Sequence, residues 1–156
     1  MCYGCGMVPL LALHVLAAVV WVGGMFFAYL VLRPAAGPLE PALRLPLWRR
    51  VFGRFFPWVW AAVAALLLSG YAMVFWGFGG FRGVGLHVHV MQATGILMML
   101  LYFHLFFAPW RRFGAAVERA AWPEAGRQLD QIRRIVAINL ALGLLTVLVG
   151  ATGRYW

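Results

Sequence analysis

GLHVHVMQATGILMMLLYFHLFF, residues 85–107, decides how the chain is read. It is a long apolar run with two histidines at its mouth, His87 and His89, and a third, His104, near its far end. A spanning helix needs roughly 20 predominantly apolar residues, and an imidazole in a hydrocarbon environment is costly unless it holds a partner. The chain has 4 histidines and three lie on this one segment, so the remainder reads as a scaffold for them.

Working outward, three more apolar windows accompany it. The four are 8–32, 56–76, 86–108 and 135–152. The chain of 156 residues is 65% hydrophobic and 11% charged, with a mean hydropathy of +0.87. A soluble domain of that size has too little polar surface to cover such a composition. The expected fold is an all-α integral membrane protein, a bundle of four transmembrane helices forming one domain over 1–156. No basic stretch precedes Val8 and no small-x-small site follows a short core, so no window reads as a cleaved signal.

All 13 cations are arginines, and eleven fall in two connections. Arg33, Arg44, Arg49, Arg50 and Arg54 lie between the first and second windows. Arg111, Arg112, Arg119, Arg127, Arg133 and Arg134 lie between the third and fourth. Only Arg82 and Arg154 are elsewhere. The positive-inside rule then predicts a multi-pass protein of the inner membrane, with both termini outside (periplasmic) and the arginine-rich loops in the cytoplasm. The net charge of +9 is a topology signal, and without a soluble basic face it excludes nucleic-acid binding.

The connections carry their own expectations. Residues 35–54, with Pro38, Pro41 and Pro46, read as a cytoplasmic loop whose Arg-aromatic end, 45–56, lies on the headgroups. Pro57 opens the second helix, which has no ionisable group and reads as scaffold. Residues 77–85 form a glycine-rich external turn. Residues 114–121 and 124–134 read as two short amphipathic helices on the inner face, broken at Pro123. Tyr155-Trp156 reads as an outer aromatic anchor.

Depth sorts the histidines. The first and third windows run in the same direction, so His14, His87 and His89 lie near the outer leaflet. His104 lies about 22 Å deeper at 1.5 Å per residue. His89 and His104 share a face about 60° wide, and His87 points away from His89 at 100° per residue. A helical row on the first window runs His14, Ala18, Trp21, Met25, Ala28, and Gly23-Gly24 thins that helix for a close neighbour. His14 with either His87 or His89 could hold one b-type haem between two helices, with Arg82 and Arg154 as cations for its propionates. A second haem would need methionine or an open position. His104 and Asn139 fall at similar depth, where a mutual hydrogen bond is expected. At the N-terminus Cys2, Cys5, Met1 and Met7 are soft donors suited to Cu(I), or else a disulfide or an unstructured leader.

The segments LALHVLAAVVWVGGMFF, GLHVHVMQATGILMMLLYFHLF and QIRRIVAINLALGLL, with the Arg33-Pro34 exit, resemble the CopD family of copper-resistance membrane proteins. They also resemble the related HemJ-type protoporphyrinogen oxidases. The likeness runs over all four windows, roughly Leu10 to Gly150. It implies a four-helix membrane bundle, haem b in the HemJ branch and copper handling in the CopD branch. His14 matches the family's first-helix histidine. Leu86-His87-Val88-His89 matches a Leu-His-x-Lys pattern, which places His87 in the histidine position and His89 in the lysine position. The chain has no lysine, so it departs from the pattern tied to porphyrinogen oxidation. The match favours His87 as ligand, whereas the face shared with His104 favours His89.

Two functional expectations follow. One is a haem b redox protein, an electron carrier or small oxidoreductase with His14 and His87 or His89 as axial ligands. It would exchange electrons with a quinone, a porphyrinogen or a redox protein. The other is copper transport or delivery. Cys2, Cys5, Met7 and His14 would capture Cu(I), and His87, His89 and His104 would step it inward. Met25, Met73, Met91, Met98 and Met99 are the only soft donors at the midplane. A structural subunit without a cofactor, and a homo-oligomer, remain compatible with the sequence.

Overall fold

The computed structural model describes the backbone of residues 3–155 and the side chains of residues 6–153 and 155. The described chain is helical throughout, with short connections. Helix α1 spans Tyr3–Phe26 and continues as a π-helical stretch, Phe27–Leu32, and a short turn, Arg33–Ala35. Helix α2 spans Pro41–Ala72 and ends in a second π-helical stretch, Met73–Gly77. Helices α3 (Leu86–Phe107), α4 (Pro109–Glu118) and α5 (Trp122–Thr152) follow, with a closing 3-10 turn at Gly153–Tyr155. Four helical stretches are long and apolar enough to cross a membrane: Gly6–Ala35, Pro41–Gly77, Leu86–Glu118 and Trp122–Thr152. The chain is thus a multi-pass all-α membrane protein. Val15, Leu16, Val19, Trp58, Leu68, Leu100 and Leu148 project from its outer faces, where lipid tails are their natural surroundings.

Neighbouring helices run antiparallel. Helix α1 packs on α2 and α5, and α3 packs on α5. The α2–α3 contact is made by long rings: Phe56 and Trp60 meet Tyr102, and Trp60 stacks on Phe103 with centroids 5.2 Å apart. Helices α1 and α3 meet through Trp21 and Tyr102, with ring centroids 6.1 Å apart. Both chain termini are at one end and all eleven loop arginines are toward the other.

Three expectations about the connections are corrected. Residues 41–56 are not a loop with a surface segment but the first half of α2, with Pro46 and Pro57 inside the helix. A proline in a helix interior costs about 3 kcal/mol. It is offset because Leu45, Trp48, Phe52 and Phe56 recur at three- and four-residue steps and are all buried. Aromatic pairs such as Phe52–Phe56, stacked at 5.3 Å, add about 0.5–1.5 kcal/mol each beyond burial. Next, Pro123 does not break a helix. It sits in the first turn of α5, which runs unbroken into the fourth span. The break falls before it, at Ala120, whose φ is 54°. Lastly, Tyr3–Met7 belong to α1 and are not an unstructured leader. Met1, Cys2 and Trp156, and the side chains of Cys5 and Arg154, lie outside the described residues.

Candidate functional site

The residues singled out by chemistry line two helix seams at the end of the bundle that carries the termini. The first is between α1 and α2. Met7, His14 and Trp21 recur every seven residues, which keeps them on one face of α1. The Met7 thioether lies against Gly77, where an added Cβ would stand 2.5 Å from Sδ. His14 Nδ1 is 2.9 Å from Ser69 Oγ, and its Cε1 is 3.2 Å from the Cβ position of Gly70. Ser69 is buried and also donates to the Ala65 carbonyl at 2.5 Å. A serine donating to a carbonyl one turn back satisfies its hydroxyl within the helix. The same oxygen can then accept from His14.

The second seam, between α3 and α5, runs in four steps. His87 packs against Gly153, Met91 lies over Gly150, and Thr146 donates to Thr94 at 2.7 Å. Met98 closes over Gly143, where Val22 of α1 also arrives. Small residues let backbones approach, so each larger side chain of α3 has a gap to fill. At Gly153 any Cβ would overlap the Cβ of His87, so only glycine fits.

His14 is half-buried in the α1–α2 seam and His87 half-buried in the α3–α5 seam. His89 turns the other way and is exposed, its ring 6.2 Å from Phe81 in the connection after α2. His104 is exposed at the arginine-rich end. The hydrogen bond expected between His104 and Asn139 is not formed. Asn139 Nδ2 donates instead to the Met98 carbonyl at 3.1 Å, and its buried Oδ1 has no partner. Arg82 is exposed in the glycine-rich connection. Among the described residues, no group of three His, Cys, Asp or Glu side chains converges as a metal cage.

A bis-histidine haem needs two imidazoles facing each other across a slot. Here the contacts of the two rings are with other partners, His14 with Ser69 on α2 and His87 with Gly153 beyond α5. These contacts give no support to a haem held by His14 and His87. The soft donors suit a monovalent soft cation, because imidazole and thioether side chains line both seams. Sequence reasoning named Met7 with His14 as donors but placed Met91 only among the midplane methionines, not beside His87. The signal for that neighbour was the four-residue spacing from His87 to Met91.

Deeper in the bundle, Trp21, Met25 and Met98 are buried with Tyr102. Trp21 meets the edge of the Tyr102 ring at 6.1 Å, and the Tyr102 hydroxyl donates to the Phe56 carbonyl at 3.1 Å. Beyond that level Phe52, Phe56, Phe106 and Trp110 pack edge to face. The bundle is closed by rings toward its arginine-rich end.

The family model for copper resistance protein D matches residues 49–152, and the chain belongs to that family. The match runs from Arg49 in α2 to the end of α5, and so includes Ser69, His87, Met91, Met98 and Asn139. No curated protein and no solved structure matches the chain.

Proposed function

We propose that this chain is an inner-membrane copper-handling protein that takes up Cu(I) at the end carrying its termini, with that end facing the periplasm. The observation that carries the reading is that soft donors line both seams: Met7 and His14 face α2 two helical turns apart, and His87 and Met91 face the end of α5 one turn apart. Soft nitrogen and sulfur donors select Cu(I) over hard divalent ions, and membership of the copper resistance protein D family supports the same metal. The arginine-rich connections support the orientation through the positive-inside rule.

In this reading copper is cargo. His89, exposed beside Phe81, meets it first. His14 and His87 hold it at the seams, and Met98, Met25 and the free Asn139 Oδ1 lie on the inward side. The aromatic layer around Tyr102 stops it there. The role supported best is therefore capture and handover, with passage through the bundle requiring those rings to move.

The test is Cu(I) binding to the full chain in mild detergent, by competition with a chromophoric chelator. The expected result is stoichiometric binding. His14→Ala and His87→Ala should each weaken it at least roughly tenfold, the scale of losing an organising group at a metal site. The absorption spectrum of the same sample, oxidised and dithionite-reduced, decides against haem or for it. A Soret band with narrow α and β bands, and no bound copper, would overturn the reading.

A further inference from the structure

The arginine-rich end holds a cavity that copper handling does not use. About 530 Å³ opens between the end of α1, the start of α2 and α5. Arg33, Arg44 and Arg133 line it with one carboxylate, Asp130. Each guanidinium is fixed by a neighbour. Arg33 lies 4.9 Å over the Tyr29 ring. Arg44 Nη1 donates to the Gly37 carbonyl at 3.0 Å, and Arg133 Nη1 to Asp130 Oδ1 at 3.1 Å.

Two features set this cluster apart from ordinary cations at a membrane edge. Arg44 and Arg133 each keep a buried Nε–H with no acceptor, and an unpaired donor on a charged group is costly to leave buried. Arg33 and Arg44 both repel the charge of Arg133, and only Asp130 opposes them. By contrast with Arg44 and Arg133, which are half-buried, Arg50, Arg54, Arg111, Arg112 and Arg134 are exposed, as is Arg33 at the rim of the cavity. Three positive charges against one negative around one cavity describe a site for an anion.

We propose that this cavity binds a phosphate group, held between the forks of Arg33, Arg44 and Arg133. Planar guanidinium groups suit phosphate because two N–H groups can meet two oxygens. Leu30, exposed at the cavity edge, and the buried Leu45 and Leu129 give it an apolar wall. That wall suits the glycerol and first methylenes of an anionic phospholipid. A free phosphate anion would use the same arginines without it.

The experiment uses the full chain in nanodiscs of mixed phosphatidylglycerol and phosphatidylcholine, with retained lipid counted by native mass spectrometry. Inorganic phosphate is titrated separately into the protein in zwitterionic detergent, and circular dichroism confirms helix content. One phosphatidylglycerol per chain should survive release. Arg44→Gln should lower retention about tenfold, the loss of a charge-assisted contact. Asp130→Asn should raise it severalfold, an effect that misfolding does not mimic. If phosphatidylglycerol is lost but inorganic phosphate binds with the same dependence on Arg44 and Asp130, the source is the free anion. The proposal is overturned if neither binds, if both variants behave as wild type, or if Arg50→Gln weakens retention as much as Arg44→Gln.

Discussion

The two halves of the bundle are built from different chemistry. Toward the arginine-rich end the helices meet through Trp48, Phe52, Phe56, Tyr102, Trp110 and Phe113, nearly all out of contact with solvent or lipid. Toward the termini they meet through glycines filled by Met7, His14, His87 and Met91. In α3 the buried residues are Met98, Tyr102 and Leu105, all in its second half. In α5 burial of the helix stops at Gly143. One half therefore holds the fold while the other, less tightly filled, is free to carry donors that would be poor core residues. Stability and chemistry are commonly separated in this way, because a site that exchanges its cargo comes from the less stable part of a structure.

The comparison predicts where truncation hurts most. Phe56 stacks on Phe52 and meets Tyr102, Phe106 and Trp110. Phe56→Ala should destabilise the detergent-solubilised protein by about 3–5 kcal/mol, read as a large drop in its thermal unfolding midpoint. A loss below about 1 kcal/mol would mean that the aromatic half does not hold the bundle.

Next in size is Gly153→Ala. Its Cβ would overlap His87 Cβ, so α3 and the end of α5 must separate. Overpacking of this kind costs about 1–3 kcal/mol. Copper binding should fall with it, and unchanged affinity would remove His87 from the proposed site. His14→Ala inverts the pattern. Ser69 keeps its bond to Ala65, so stability should fall by about 1 kcal/mol or less, while Cu(I) affinity falls the most of any single change.

Much of this division was legible in the sequence, and what was not has a physical reason. Four spans, two arginine-rich connections and the depth of His14, His87 and His89 follow from hydropathy and helix geometry alone. The extent of α2 did not, because Pro46 and Pro57 are local breakers whose cost is offset by rings from α3 and α4, far away in sequence. That His14 and His87 fall on different seams was hidden for a related reason. Depth along a helix is fixed by residue number, but which neighbour a side chain meets depends on the order of helices around the bundle. At similar depth, His14 meets α2 and His87 meets the end of α5. The partner of Asn139 likewise turned out to be a backbone carbonyl, a group that no sequence pattern marks.

The smallest effect is expected where the aromatic half reaches the surface. Arg49 pairs with Glu118 at 3.4 Å, but the two side chains are 38% and 72% exposed. An exposed pair at that distance contributes about 0–1 kcal/mol. Arg49 also lies 4.5 Å over the Trp110 ring, and that contact does not need the carboxylate. Glu118→Gln should therefore shift stability by less than about 0.5 kcal/mol and leave copper binding alone. Arg49→Gln should cost more, because it removes the cation from the ring as well as from the pair. Thermal unfolding of the two variants at low and at high salt separates the contributions. The pair is screened by salt, whereas the stacked contact is partly shielded by Trp110. Equal costs for both variants, abolished by salt, would place the edge of the aromatic half under charge pairing instead of ring packing.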